Sequence, residues 1–164
     1  LIEELTVFQN LWYTARLCFA NLTEKEIEDR VNTILEDLDL SKIRDLAVGS
    51  PIRKTISGGQ RKRLNIALEL IREPAILYLD EPTSGLSSTD SEKVIMLLKE
   101  QTHRGRLVVV NIHQPSSEIY KLFDRLWLLD TGGYPIYDGN PIEAITYFKR
   151  IAIYRSRHQC LRHL

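Results

Sequence analysis

The sequence predicts an α/β fold with a parallel sheet in the middle of the chain. A helical region precedes the sheet, and a hairpin followed by a helix comes after it. Three observations carry this. Two short apolar runs, Ala75–Leu79 and Leu107–Ile112, flank a helical stretch. Apolar residues recur at helical spacing through the first third. A third apolar run, Leu126–Leu129, leads through Asp130-Thr131-Gly132-Gly133 into a second short arm.

The helical region comes first. Thr6-Val7-Phe8-Gln9 has capping-box form, and Leu11, Ala15 and Phe19 follow on one face. Thr23 and Glu26 form a second box. The stripe behind it is Ile27, Val31, Ile34, Leu35 and Leu38. Glu24, Lys25, Glu28, Asp29 and Arg30 make an ordinary solvated face. Val48-Gly49-Ser50-Pro51 breaks regular structure.

The two central runs are apolar on both faces, as expected for strands of a buried parallel sheet. Between them Ser87 is placed to cap a helix, with Asp90 three residues on. The crossover is expected to be right-handed. The Gly132-Gly133 turn predicts a hairpin, and Pro135 marks its second arm as an edge strand. Asn140-Pro141-Ile142-Glu143 starts a last helix. From Ile151 the tail is basic and without pattern.

Bulk properties narrow the function classes. The chain has 164 residues, enough for one domain or one domain in two lobes, and a formal net charge of zero. Bulk charge gives nucleic-acid binding no support, so no such partner is expected. Cys18 and Cys160 have no metal-ligand spacing, which argues against a disulfide scaffold or zinc site and favours a reducing compartment. No apolar run approaches the roughly 18 residues needed to cross a bilayer.

The chemistry concentrates in three places. At Ser57-Gly58-Gly59-Gln60, two glycines allow close backbone approach to a ligand, and the helix that follows points free N–H groups and its positive end forward. That suits phosphate, although Ser57 and Gln60 alone also read as a plain capping box. At Asp80-Glu81-Pro82, two carboxylates end a buried strand, on the sheet edge where open α/β folds bind ligands. Asp80 could hold Mg²⁺ and Glu81 could polarise a water, or both could simply cap a loop. His113 ends the next strand on the same edge. It could bond a γ-phosphate, or be structural.

Read in order, the chain gives Ile56-Ser57-Gly58-Gly59-Gln60-Arg61-Lys62-Arg63, then Leu79-Asp80-Glu81-Pro82-Thr83-Ser84-Gly85-Leu86, then His113-Gln114-Pro115. This resembles the ATP-binding cassette family. On that resemblance Ser57, Gly58, Gly59 and Gln60 are the signature motif, and Asp80 closes the Walker B strand as the Mg²⁺ residue. Glu81 is then the catalytic glutamate, Ser84-Gly85-Leu86 the nucleotide-facing D-loop, and His113 the switch histidine. Arg61-Lys62-Arg63 and His113-Gln114-Pro115-Ser116-Ser117-Glu118-Ile119 look like the G-type, or white-type, transporters, whose ATPase domain precedes a membrane domain in one chain. Leu5-Thr6-Val7 and Asn10-Leu11 look like the segment just after that family's Q-loop.

The resemblance implies a partial P-loop NTPase-like sheet. Residues 1–72 would be a helical subdomain with the signature, 73–150 the C-terminal part of the ATPase core, and 151–164 an unassigned tail. It implies ATP and Mg²⁺, a second nucleotide-binding domain packed head to tail, a transmembrane domain of the same transporter, and a place on the cytoplasmic face of the membrane. The implied activity is ATP hydrolysis driving transport, with export favoured. A non-transport cassette ATPase and an inert fragment are the alternatives.

The sequence departs from the family pattern in three ways. Ser87 stands where the D-loop usually has an acid, and Ile56 where the signature has leucine. No Gly-x-x-x-x-Gly-Lys-Ser/Thr occurs; Gly49–Thr55 lacks the second glycine and follows no strand. The chain is therefore expected to begin just past the Q-loop and to be inactive alone. An incomplete sheet is also expected to leave apolar surface exposed and invite self-association.

Overall fold

A computed structural model describes residues 1–50 and 55–160, with side chains through residue 152. The middle of the Gly49–Thr55 stretch lies outside the described residues, as does Pro51 of the predicted break. The chain divides into two compact units, Leu1–Gln114 and Pro115–Leu164.

The first unit begins with helices α1 (Val7–Cys18) and α2 (Glu24–Asp37). Both predicted capping boxes form. The Thr6 hydroxyl accepts from the Gln9 amide at 3.0 Å while the Gln9 side chain accepts from the Thr6 amide at 2.9 Å. Thr23 and Glu26 exchange bonds the same way, and these hold the Glu26 carboxyl below its usual value. Val7, Leu11, Ala15, Ile27, Val31, Leu35 and Leu38 are buried where α1 and α2 pack together.

Helix α2 ends in a Schellman motif. The Leu40 amide donates to the Leu35 carbonyl at 2.8 Å and the Asp39 amide to Glu36 at 3.1 Å. This places Asp39 at φ +52°, where a Cβ is unfavourable. Asp39→Gly is expected to stabilise the protein by up to about 0.5 kcal/mol, the lower end of the left-handed penalty offset by glycine's chain entropy. A thermal melt that falls on this substitution would contradict the assignment.

Helix α3 (Gly58–Leu70) packs against α1, α2 and α4 (Ser88–His103). This explains why Leu64, Ile66, Ala67, Leu70 and even Arg63 are buried around so much of its circumference. Strands β1 (Ile76–Asp80) and β2 (Leu107–Asn111) pair in parallel, with Ile76 opposite Leu107 and Asp80 opposite Asn111. Helix α4 is the crossover between them and packs on β2.

Here one expectation fails. The sheet is not buried on both faces. Leu77 and Leu79 alternate with Ile76 and Tyr78, and Leu77 is the buried residue of β1. On the other face Ile76 is 48% exposed, Tyr78 76% and Leu107 55%. Among the described residues helices cover one side of a two-stranded sheet, so an apolar run here does not mean burial on both faces. This face is part of the exposed apolar surface anticipated from the sequence.

In the second unit a short helix α5 (Ser117–Tyr120) precedes β3 (Leu126–Leu129) and β4 (Pro135–Gly139), an antiparallel pair with an irregularity at Leu128/Leu129. Gly132 and Gly133 take positive φ in the connecting turn, which the Asp130 amide closes onto Tyr134 O at 2.8 Å. Arg125 grips the Asp138 carboxylate through two nitrogens at 2.7 and 2.8 Å, holding that carboxyl below its usual value. Helix α6 (Pro141–Cys160) starts at the predicted proline and continues well into the tail, where the sequence offers no pattern. Among the described residues no helix is long and apolar enough to cross a membrane.

Candidate functional site

The start of α3 is built by a third capping box. The Ser57 hydroxyl accepts from the Gln60 amide at 3.1 Å, and Gln60 Oε1 accepts from the Ser57 amide at 2.7 Å. Of the four amides that a helix N-terminus leaves without internal partners, the box satisfies two. The remaining pair, on Gly58 and Gly59, belongs to the residues without Cβ.

The two glycines have different surroundings. Gly58 is exposed, and a Cβ there would meet nothing within 4 Å. Gly59 is buried, and a Cβ there would lie 2.8 Å from Asp90 Cγ. Gly58 therefore faces open space, whereas Gly59 admits a neighbouring carboxylate against the helix.

The strand edge gathers the remaining candidates. Because β1 and β2 run parallel and in register, Asp80 and Asn111 end side by side, and Asn111 Nδ2 donates to Asp80 Oδ1 at 2.7 Å. The Glu81 amide continues the ladder onto Asn111 O at 2.8 Å. His113 follows two residues beyond Asn111. Asp80, Glu81 and His113 are all exposed. After Glu81 the chain turns, with Ser84 N bonded to Glu81 O at 3.1 Å and Gly85 at φ +74°, before Ser87 caps α4. Ser84 and Gly85 are both exposed on this turn.

Backbone strain marks the same edge. Among the described residues four non-glycine residues have positive φ. Asp39 and Glu73 follow the ends of helices, where the left-handed conformation is ordinary. Glu81, at +44°, and Gln114, at +47°, sit just past β1 and just past His113. A non-glycine residue held there costs on the order of 1–3 kcal/mol, and such residues cluster at functional sites.

Sequence reasoning gave no role at this site to three of its neighbours. Asn111 fixes Asp80; its signal was a polar residue closing an apolar run. Lys62 donates from α3 to the Glu81 carbonyl at 3.1 Å, tying the helix to the strand edge. Arg63, only 5% exposed, lies 3.6 Å from the Asp90 carboxylate. Nothing local distinguishes Lys62 and Arg63 within a basic run. Ser57 and Gln60, by contrast, spend the bonds just described within their own helix.

A single exposed carboxylate with one oxygen occupied by an amide fits Mg²⁺, which keeps most of its water shell and takes one or two carboxylates. It fits poorly a cation needing a full protein cage, and no cluster of three acidic, His or Cys ligands occurs among the described residues.

Residues 1–84 match the family model described as ABC transporter. The chain is 43% identical over 148 residues to the broad substrate specificity ATP-binding cassette transporter ABCG2 of Sus scrofa, covering 90% of this chain and 22% of that protein. It is 40% identical over 152 residues to ABC transporter G family member 14 of Arabidopsis thaliana, covering 92% and 23% respectively. The chain thus spans about a fifth of the length of these curated relatives. Among solved structures it resembles cbiO1 from Clostridium perfringens, part of the ABC transporter complex cbiONQ, with a TM-score of 0.73 and 26% identity over 98% of this chain and 62% of that one. The signature-like helix start, the acid-tipped parallel strands and these likenesses agree: the chain belongs to the ABC transporter family, on its G-type branch.

Proposed function

We propose that this chain is the signature and Walker B half of a transporter's nucleotide-binding domain, coupling Mg-ATP binding and hydrolysis to movement of a solute, with export as the direction. The observation that carries this is the pairing of an outward-facing phosphate-type helix start with a separate hydrolytic strand edge. Ser57 and Gly58 are exposed, and a Cβ on Gly58 would meet nothing within 4 Å. That suits a helix start which meets ATP held by a second, head-to-tail nucleotide-binding domain. Residues 1–72 then form the helical subdomain that contacts the transmembrane partner. Residues 73–150 belong to the ATPase core, on the cytoplasmic face of the membrane.

In this reading Glu81 takes a proton from the attacking water, held in place by its strained backbone and the bonds at its amide and carbonyl. His113 orients the terminal phosphate, and Ser84 and Gly85 present backbone to the opposing protomer. Asp80, steadied by Asn111, would hold Mg²⁺ through water, and the ion would neutralise charge on the phosphates. Gly58 offers its amide, and the N-terminal dipole of α3 adds a positive field.

Residues 1–164 purified alone are expected to show no ATP turnover, because the sequence supplies no phosphate-cradling loop or its lysine. The full-length protein in liposomes is expected to hydrolyse Mg-ATP and to lose that activity on Ser57→Arg, which fills the helix start. Turnover by residues 1–164 that depends on Glu81, or full-length activity indifferent to Ser57→Arg, would sink the proposal.

A further inference from the structure

The grip between α3 and the loop that follows β1 has two ends. Lys62 holds the first, at the Glu81 carbonyl. The second is built around Asp90. Its amide donates to Ser87 Oγ at 3.1 Å, and the Ser87 hydroxyl lies 3.1 Å from Asp90 Oδ2 in turn. Its Oδ1 faces Arg63 Nη1 at 3.6 Å, an ion-pair distance too long for a good hydrogen bond. Among the described residues Arg63 Nε and Nη1 are buried with no hydrogen-bond partner, and this carboxylate lies at ion-pair distance as counter-charge to the guanidinium. The same carboxylate crowds the position a Cβ on residue 59 would take, with its Cγ 2.8 Å and both oxygens 3.0 Å away.

We propose that Asp90 is a positioning residue for the signature helix. Seated against Gly59, paired with buried Arg63 and fastened to Ser87, it fixes the first turn of α3 to the start of α4. Ser57 and Gly58 are thereby presented at a set place and angle to an incoming triphosphate, and the segment from Glu81 to Ser87 moves with them. Gly59 is glycine for the sake of Asp90, while Gly58 leaves open space beside the helix start. The acid missing at position 87 thus has a counterpart one helical turn on, used inward rather than across an interface. The proposal rests on the reading of Ser57–Gln60 as a phosphate-capturing helix start.

The test uses the full-length protein with Asp90→Asn, Asp90→Ala, Gly59→Ala and the Gly59→Ala/Asp90→Ala double variant. Two quantities are read: the steady-state constants for Mg-ATP, and hydrogen exchange at the amides of residues 57–61 without nucleotide. Asp90→Ala is expected to raise KM for ATP about tenfold with a much smaller change in kcat, the signature of lost binding rather than lost chemistry. Exchange at residues 57–61 is expected to quicken. Gly59→Ala should do the same by displacing the carboxylate, and the double variant should be no worse than the worse single, since both remove one contact. Asp90→Asn keeps the volume, so it carries the same KM reading if Asp90→Ala fails to fold.

An unchanged KM in Asp90→Ala or Asp90→Asn with a lowered melting temperature would mean a purely structural contact and overturn the proposal. A double variant whose KM rises by the product of the singles would also overturn it, by showing that Gly59 meets the ligand independently. If Asp90→Ala quickens exchange while Ser57→Arg leaves hydrolysis intact, the clamp exists without its purpose, and the phosphate-capture reading falls with the proposal. Loss of activity in Ser57→Arg beside an unchanged KM in Asp90→Ala sinks this proposal alone.

Discussion

Glu81→Gln in the full-length protein is expected to reduce ATP turnover by about 10²–10⁴-fold, the usual contribution of a positioned general base, while ATP binding is retained. The amide is nearly isosteric with the carboxylate but cannot take the proton of an attacking water. The fold around it depends on main-chain bonds that the substitution does not touch. The residue 81 amide bonds to Asn111 O at 2.8 Å, and its carbonyl accepts from Lys62 Nζ and the Ser84 amide, each at 3.1 Å. The positive φ belongs to the backbone and is shared by Gln. Single-turnover hydrolysis and equilibrium binding of labelled ATP separate the two effects. Normal turnover, or loss of binding along with turnover, would remove Glu81 from the role of base.

The local grammar of the chain was legible in its sequence, and the long-range grammar was not. Thr6 with Gln9, Thr23 with Glu26 and Ser57 with Gln60 each form the reciprocal bonds their spacing foretells, because a capping box is decided within four residues. The shared edge of Asp80, Glu81 and His113 was legible for a related reason: two short apolar runs joined by a helix leave a parallel pair as the natural outcome, and parallel strands end together. Burial could not be read the same way. The run Ile76 to Leu79 shows that apolar side chains occur on both faces, not that anything covers them, and Tyr78 stands exposed.

The grip of Lys62 on Glu81 and of Arg63 on Asp90 joins residues distant in sequence. No periodicity distinguishes those side chains from Arg61 beside them, which turns instead to the Gly49 carbonyl at 2.9 Å. The difference between the two glycines was hidden for the same reason. The sequence shows a pair of residues without Cβ; only the packing of α4 against α3 shows that one faces Asp90 and the other open space.

That difference makes Gly58→Asp the sharpest probe of the helix start. The new Cβ enters open space, so no core contact is lost. A carboxylate in the first turn interacts favourably with the helix dipole, by about 0.3–1 kcal/mol at an exposed site. The melting temperature is therefore expected to hold or rise slightly. ATP use is expected to collapse, because the carboxylate occupies the approach to the free amides and repels the anionic phosphates. Two like unit charges about 4 Å apart near a protein surface repel by roughly 4 kcal/mol, or about a thousandfold in affinity. Gly58→Ala adds the Cβ without the charge and should keep most activity, which separates repulsion from bulk. Paired measurement of melting temperature and Mg-ATP hydrolysis in the full-length protein decides the matter. A Gly58→Asp protein that melts early fails for structural reasons, and one that hydrolyses ATP normally shows that the start of α3 does not meet phosphate.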